Sequence, residues 1–156
     1  SLATVRRVPN EPGMAAKVFT LLAEAGVNVD MIVQASASTG TADISFTVPG
    51  SAAAKVRDVL QEKQDELGYQ SFDIDANVGK VAVVGVGMKT HSGLAAKFFN
   101  ALSDEGVNVL MISTSEIRIA ALVPLEQLQD AVRALHTAYG LDAEQVEAVV
   151  YGGTGR

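Results

Sequence analysis

The chain has 156 residues, a net charge of −6 and an apolar content of 48% with only four prolines, a composition typical of compact folding rather than disorder. No apolar run approaches the roughly 20 residues of a membrane span, and the first residues lack a signal-peptide pattern, so we expect a soluble cytoplasmic protein without a membrane partner. The absence of cysteine excludes disulfides and thiolate chemistry, and the acidic balance argues against a nucleic-acid partner.

The first elements in chain order are a strand and a helix. Residues 3–8 suit a strand, and the turn after it places Pro12 where the first turn of a helix tolerates a missing N–H. The helix is predicted to end at Gly26, a typical C-terminal stop. Its apolar face recurs at helical spacing and consists of Val18, Phe19, Leu22 and Ala25.

A second strand is predicted over residues 27–36, where apolar and polar residues alternate. One face of this strand is expected to point into the core; it carries Val27, Val29, Met31 and Val33. The opposite face would then carry Asn28, Asp30 and Gln34.

Three more elements complete the first half of the chain. A strand over residues 42–49 is followed by one helix from about Ser51 to the stop at Gly68, and a short strand follows at 70–75. The resulting order is βαββαβ, which predicts a ferredoxin-like unit of four antiparallel strands with two helices on one face.

The second half of the chain repeats the first. Residues 11–32 align without a gap with residues 91–112, and 12 of the 22 aligned positions are identical. The sequence therefore predicts an α+β protein of two tandem ferredoxin-like domains, 1–78 and 79–156. The second copy is assigned strands at 80–87, 107–115, 117–123 and 146–153, a helix at 92–105 and a helix carrying Leu125 to Tyr139. A strand from elsewhere in a longer chain is an alternative to 146–153.

The turn before the first helix is a candidate ligand site. Backbone N–H groups at a helix N-terminus favour a carboxylate, and Gly13 permits close approach of a ligand. An ammonium group would need oxygen acceptors, which Asp30 and the amides of Asn10, Asn28 and Gln34 could supply. Because Leu110 stands where copy one has Asp30, we expect asymmetric sites with copy one as the primary binder. A plain helix-to-strand connector and an ordinary exposed carboxylate are the alternatives.

Several stretches resemble a known family. The segments NEPGMAAKVFTLLAEAGVNVDMIVQ (10–34), STSEIRI (113–119) and VVYGGTGR (149–156) closely resemble the tandem ACT domains of the regulatory part of aspartokinase, and the similarity covers essentially the whole chain. The resemblance implies a feedback sensor for L-threonine, L-lysine or both, bound between ACT units of two chains in a homodimer. It also implies a partner, either an aspartokinase catalytic domain or a separate α subunit. ATP and Mg²⁺ would belong to that kinase part, so neither a cofactor nor a catalytic residue is expected in this chain.

The resemblance also implies effector-binding positions. In the first copy they are Asn10, Gly13, Met14, Ala15, Asn28, Val29, Asp30 and Gln34; in the second copy they are Leu94, Ala95, Asn108, Val109, Ser115 and Glu116. Two departures from many relatives are Asn10 in place of Asp and Ser92 in place of Pro, and the first leaves the choice between lysine and threonine open.

One catalytic alternative belongs to the same fold class. A small ferredoxin-like hydrolase of acyl phosphates would need an Arg and Asn constellation around a phosphate, and Arg6 or Arg7 with Asn10 is the best candidate. Neither His91 nor His136 has an acid and a nucleophile at a motif spacing.

Overall fold

The computed structural model of the protein describes residues 1–85, 93–115, 117–139 and 145–150. These residues form two compact units, Ser1–Ala76 and Asn77–Val150. In the described part of the chain, every helix is too short or too polar to cross a membrane.

The first unit is a four-stranded antiparallel sheet with helices on one face. In chain order the elements are β1 (Leu2–Pro9), α1 (Met14–Glu24), β2 (Ile32–Ser36), β3 (Thr41–Thr47), α2 (Ala53–Glu62), α3 (Gln64–Leu67) and β4 (Ser71–Asp75). The strands lie in the sheet in the order β2-β3-β1-β4. The predicted βαββαβ order and α+β class are therefore confirmed.

The core of the first unit lies between the sheet and the helices. Phe46 of β3 is fully buried and receives the edge of the Phe19 ring at a centroid distance of 5.5 Å. Val18 and Leu22 from α1 and Leu60 from α2 pack into the same cluster. This is the apolar stripe that the helical spacing predicts for α1.

The second predicted helix is interrupted rather than continuous. A 3₁₀ turn at Gly50–Ala52 precedes α2, and Lys63 leaves helical geometry with φ −103° and ψ 16° before α3 begins. The predicted stop at Gly68 is correct, because its φ of 70° is readily adopted by glycine.

The second strand is shorter than predicted: Val27 and Met31 are buried as expected, but in the paired part, Ile32–Ser36, the two faces are reversed. Residues 27–30 form an irregular connection, in which Val27 is buried and Val29 packs against the core. β2 then pairs Ile32 with Phe46 and Gln34 with Ile44, so Gln34 lies on the helix side of the sheet. Val33 lies on the other side and is 37% exposed, so its predicted place in the core is wrong. Alternation does not continue through an irregular segment, and a shift of one residue exchanges the two faces.

The second unit repeats the topology of the first. Its elements are β5 (Val78–Val84), α4 (Leu94–Asp104), β6 (Met111–Thr114), β7 (Arg118–Pro124), α5 (Leu128–Tyr139) and β8 (Gln145–Val150), and the strands lie in the order β6-β7-β5-β8. β8 pairs with β5, so the chain itself supplies the fourth strand. The end of the predicted strand 80–87 and residues 151–153 of the last strand lie outside the described residues.

Both sheets present an apolar edge strand. β2 and β6 occupy the outer position of their sheets, and Ile32 and Ile112 on them are 51% and 48% exposed. A strand edge with exposed apolar side chains is a surface suited to another protein chain.

Candidate functional site

A cavity of about 140 Å³ lies at the start of α1 in the first unit. Its apolar floor comes from the end of β1 and from β3, through Val8, Ala42 and Ile44. Its mouth is formed by the β1–α1 turn, the first turn of α1 and one side chain of β2. Those residues are Asn10, Glu11, Gly13, Met14, Ala15 and Gln34.

The helix that begins at this cavity has no side chain capping its first amides. Its N-cap is Gly13, with φ 90°, and the first turn carries no acidic residue. The unpaired N–H groups of a helix start and the helix dipole together attract anions, typically by about 0.3–1 kcal/mol per interaction before specific hydrogen bonds form. The Met14 N–H is used within the turn, where it donates to Glu11 O at 3.2 Å, but Ala15 and Ala16 of the same first turn also line the cavity. The cavity therefore has an amide-lined end suited to a carboxylate.

The side-chain amides of Asn10 and Gln34 line the same cavity. Asn10 Nδ2 donates to Ser36 Oγ at 3.2 Å. The nitrogen of the Asn10 amide is therefore used within the protein, and its oxygen is the group considered for a ligand. The Asn10 backbone N–H donates to Gly40 O at 3.0 Å and fixes the turn. Gln34 reaches the cavity because its strand pairing places it beside Ile44, on the face opposite to the predicted one.

Five predicted site residues meet at the cavity, and three others do not. The five are Asn10, Gly13, Met14, Ala15 and Gln34. Asn28, Val29 and Asp30 lie beyond the C-terminal end of α1, at the other end of β2. Gln34 is four residues from Asp30, about 13 Å along an extended segment at ~3.3 Å per residue.

Asp30 and Leu110 occupy equivalent places in the two units. The Asp30 N–H donates to Thr47 O at 3.0 Å, and the Leu110 N–H donates to Leu122 O at 2.7 Å. Asp30 and Leu110 are both exposed just before the edge strands begin. The substitution therefore changes the surface charge at this point without changing the backbone pairing.

The second-copy positions are spread over three places. Leu94 and Ala95 open α4, and Tyr139 of α5 donates its hydroxyl proton to the Leu94 carbonyl at 2.5 Å. Burial raises the pKa of Tyr139 to about 12. Asn108 and Val109 follow α4, where the Asn108 N–H donates to Gln127 Oε1 at 2.9 Å. Ser115 follows β6 and is exposed, whereas Glu116, His91 and Ser92 lie outside the described residues.

Some lining residues were not predicted from the sequence. Glu11 brings a carboxylate to the cavity mouth, and its place in the turn beside Asn10 was a signal that could have found it. Ala42 and Ile44 line the floor from the buried face of β3, and Gln34 stands beside Ile44 through the β2–β3 register, which the sequence does not reveal. Arg6, a candidate for phosphate binding, instead donates from Nε and Nη2 to Asp73 Oδ2 at 2.9 and 2.7 Å.

A larger groove of about 320 Å³ lies between α4 and α5 in the second unit. Alanines at 101, 134 and 138 and the charged side chains of Asp104, Glu105 and Arg133 line it, and none of these is a predicted site residue. Within the described residues, no group of three or more His, Asp or Glu side chains could hold a metal ion.

Comparisons with known proteins agree with this fold. The pattern of the ACT domain family matches residues 6–64 and 81–139. Aspartokinase of Corynebacterium glutamicum is 46% identical over 155 residues, a match covering 98% of this chain and 37% of that enzyme. Aspartokinase of Mycobacterium tuberculosis is 43% identical over 155 residues with the same coverage. The chain thus spans little more than a third of the length of these relatives.

Solved structures of similar length extend the comparison. A chain in the crystal structure of aspartokinase α and β subunits is 44% identical, with a TM-score of 0.83, covering 90% of this chain and 92% of that one. The ligand-free regulatory subunit of Thermus thermophilus aspartate kinase is 36% identical, with a TM-score of 0.81, covering 88% and 91%. The ACT pattern covers most of the sequence and the similarity to a regulatory subunit covers nearly all of that subunit, so this chain belongs to the ACT domain family, as a tandem pair of the aspartokinase regulatory type.

Proposed function

We propose that this chain senses L-threonine, L-lysine or both and thereby regulates an aspartokinase catalytic part. The observation that carries the proposal is the small cavity at the uncapped start of α1, lined by two side-chain amides. Its volume of about 140 Å³ is below the ~300–1,000 Å³ of sites for drug-sized ligands, so it suits a small molecule such as a free amino acid.

The groups around the cavity match the two charged ends of an amino acid. The α-carboxylate is assigned to the amides at the start of α1, around Gly13. The α-ammonium is assigned to oxygen acceptors on Asn10, Gln34 and Glu11. A ligand lacking either charge loses one half of these contacts and binds more weakly.

A second copy of the chain is proposed to complete the site. Asn28, Val29 and Asp30 lie too far along the chain from the cavity of their own unit to join it, whereas the same residues of another copy could meet it. The apolar edge strands, with Ile32 and Ile112 about half exposed, offer a surface for this pairing. In this arrangement one effector molecule contacts ACT units of two chains.

Regulation then follows from linkage between binding and assembly. An effector that contacts two chains stabilises the dimer arrangement in which both half-sites meet, and it shifts the population towards that arrangement. The catalytic part, which would hold ATP and Mg²⁺, is proposed to be less active in this arrangement. The length of the aspartokinase relatives and the structure containing both subunit types support such a partner.

Isothermal titration with L-threonine and, separately, L-lysine tests the proposal. We expect saturable heat with at least one of the two, and a loss of about 10- to 100-fold in affinity for Gln34→Ala, since a hydrogen bond to a charged group contributes about 1.5–3 kcal/mol. Gln61→Ala, an exposed glutamine on α2 away from the cavity, is the matched control and should bind as the parent does. Absence of heat from both amino acids would refute sensing by this chain alone.

The difference between the two copies gives a second test. Asp30→Ala is expected to weaken binding of the ammonium-bearing ligand more than Leu110→Ala does. Only the first substitution removes a negative charge that can attract the ammonium group of the ligand. Titration of both variants under identical conditions measures the difference. Equal effects would remove the argument that the first copy is the primary binder.

A further inference from the structure

The strand leading into the cavity contains a bulge, and one side chain accepts a hydrogen bond from it. Val5 of β1 pairs with Ile44 of β3, but the next pair is Val8 with Ala42. Two residues of β1, Arg6 and Arg7, therefore stand opposite the single residue Asp43. This two-against-one count defines a β-bulge.

The bulge requires a backbone conformation that arginine rarely adopts. Arg7 has φ 57°, the only positive φ of a non-glycine residue in the described part of the chain. Its N–H is not used in the strand ladder; it donates instead to Asp43 Oδ1 at 2.9 Å. The residue opposite the bulge thus supplies the acceptor for the extra residue.

The bulge decides which residues reach the cavity. In a strand paired one-to-one from Val5 onward, Arg7 would stand opposite the buried Ala42 and Val8 would turn to the other face. That arrangement places a guanidinium in an apolar core and removes Val8 from the cavity floor. With the bulge, Val8 is 1% exposed and lines the cavity, and the chain enters the turn at Asn10.

In the second unit, the described residues, which end on this side at residue 85, show neither the shift nor the acid at this place. β5 and β7 pair one-to-one from Val78↔Pro124 to Val84↔Arg118. Pro49 and Pro124 precede the 3₁₀ turns of the first and second units and mark equivalent positions. The residue six places before each proline is Asp43 in the first unit and Arg118 in the second. Among the described residues, the bulge and its acceptor are therefore found in the first unit, beside the cavity at the start of α1.

We infer that Asp43 is a positioning residue for ligand binding: by accepting the Arg7 N–H it holds the β1 bulge and thereby places Val8 and Asn10 at the cavity. Asp43 is not among the residues lining the cavity, so it acts through the backbone of β1. The inference rests on the proposed amino-acid-sensing function for its ligand, but the bulge itself can be tested without one.

The test combines titration with amide hydrogen exchange on the full chain. Asp43→Ala is expected to weaken binding of whichever of L-threonine and L-lysine saturates the parent by about tenfold, the effect of losing one charge-assisted hydrogen bond. Asp43→Asn keeps an acceptor oxygen and should stay within about threefold of the parent. The double variant Asp43→Ala/Arg7→Gly should recover most of the affinity, because glycine adopts positive φ without strain.

A matched control separates the bulge from general charge effects. Asp73 is an exposed carboxylate that pairs with Arg6, the other bulge residue, without contacting the Arg7 N–H. Asp73→Ala should bind within about twofold of the parent. Equal losses for Asp43→Ala and Asp73→Ala, or no recovery by Arg7→Gly, would overturn the positioning role.

Hydrogen exchange tests the positioning role of Asp43 even if the parent binds neither amino acid. The Asn10 amide donates to Gly40 O at 3.0 Å, so its protection reports whether the turn is held. Asp43→Ala should exchange this amide about tenfold faster, and Arg7→Gly in the same chain should restore protection. Unchanged protection in Asp43→Ala refutes the positioning role, whereas absence of binding by the parent refutes only the proposed sensing function.

Discussion

Gly13 and Gly93 hold the same place in the two copies but differ in backbone conformation, which predicts opposite effects of one substitution. Gly13 has φ 90° at the start of α1, whereas Gly93 has φ −87° at the start of α4. A Cβ added to either glycine would meet no atom of the described residues within 4 Å. The effect of alanine at each position therefore comes from backbone preference and not from a collision.

The expected magnitudes follow from these angles. Alanine at position 13 must adopt a positive φ, which costs about 1–2 kcal/mol for a residue with a Cβ. Alanine at position 93 fits the observed φ and restricts the unfolded chain, which stabilises by about 0.4–1 kcal/mol. We expect Gly13→Ala to destabilise the first unit and Gly93→Ala to stabilise the second, a separation of roughly 1.4–3 kcal/mol.

Amide hydrogen exchange read out peptide by peptide measures both effects. Exchange of α1 should accelerate in Gly13→Ala, exchange of α4 should slow in Gly93→Ala, and each variant should leave the other unit unchanged. Equal changes of the same sign in the two variants would refute the reasoning from backbone conformation. Titration of Gly13→Ala with L-threonine and L-lysine would show in addition whether the positive-φ conformation at the start of α1 is needed for binding.

Two further predictions concern the second unit and the edge strands. Tyr139→Phe removes the hydrogen bond to the Leu94 carbonyl and should lower the free energy of unfolding by about 0.5–1.5 kcal/mol in urea denaturation. Since the pKa of Tyr139 is raised to about 12 in the folded state, its contribution to stability is full below pH 10 and declines from pH 10 towards pH 12, a decline that Tyr139→Phe should abolish. Ile32→Lys and Ile112→Lys should each weaken self-association by about tenfold in sedimentation velocity, because each removes an exposed apolar side chain from an edge strand; unchanged association would exclude these edges as the interface.

The order of helices and strands along the chain could be predicted because its signals are local. The apolar stripe of α1 and the glycine at position 68 each fix an element from a few neighbouring residues. The face of Gln34 could not be predicted, since the irregular connection at 27–30 breaks the alternation, and the register with Ile44 is set by pairing across the sheet. The role of Asp43 was likewise hidden, because it arises from a register shift between distant parts of the chain.

The same distinction explains why a repeat so similar in sequence need not give two equal sites. The two copies share core positions in their first helices, such as the buried Leu22 and Leu102, but the backbone differs at the residue where each helix begins. In the first unit β1 carries the bulge held against Asp43 and the glycine at the start of α1 has positive φ, whereas in the second β5 is paired one-to-one as far as Val84 and the glycine at the start of α4 has negative φ. Core residues constrain packing, whereas the turn before the helix determines whether its first amides face a cavity. Ligand binding in the two units can therefore diverge while the fold stays the same, and the change from Asp30 to Leu110 alters charge on a backbone that remains equivalent.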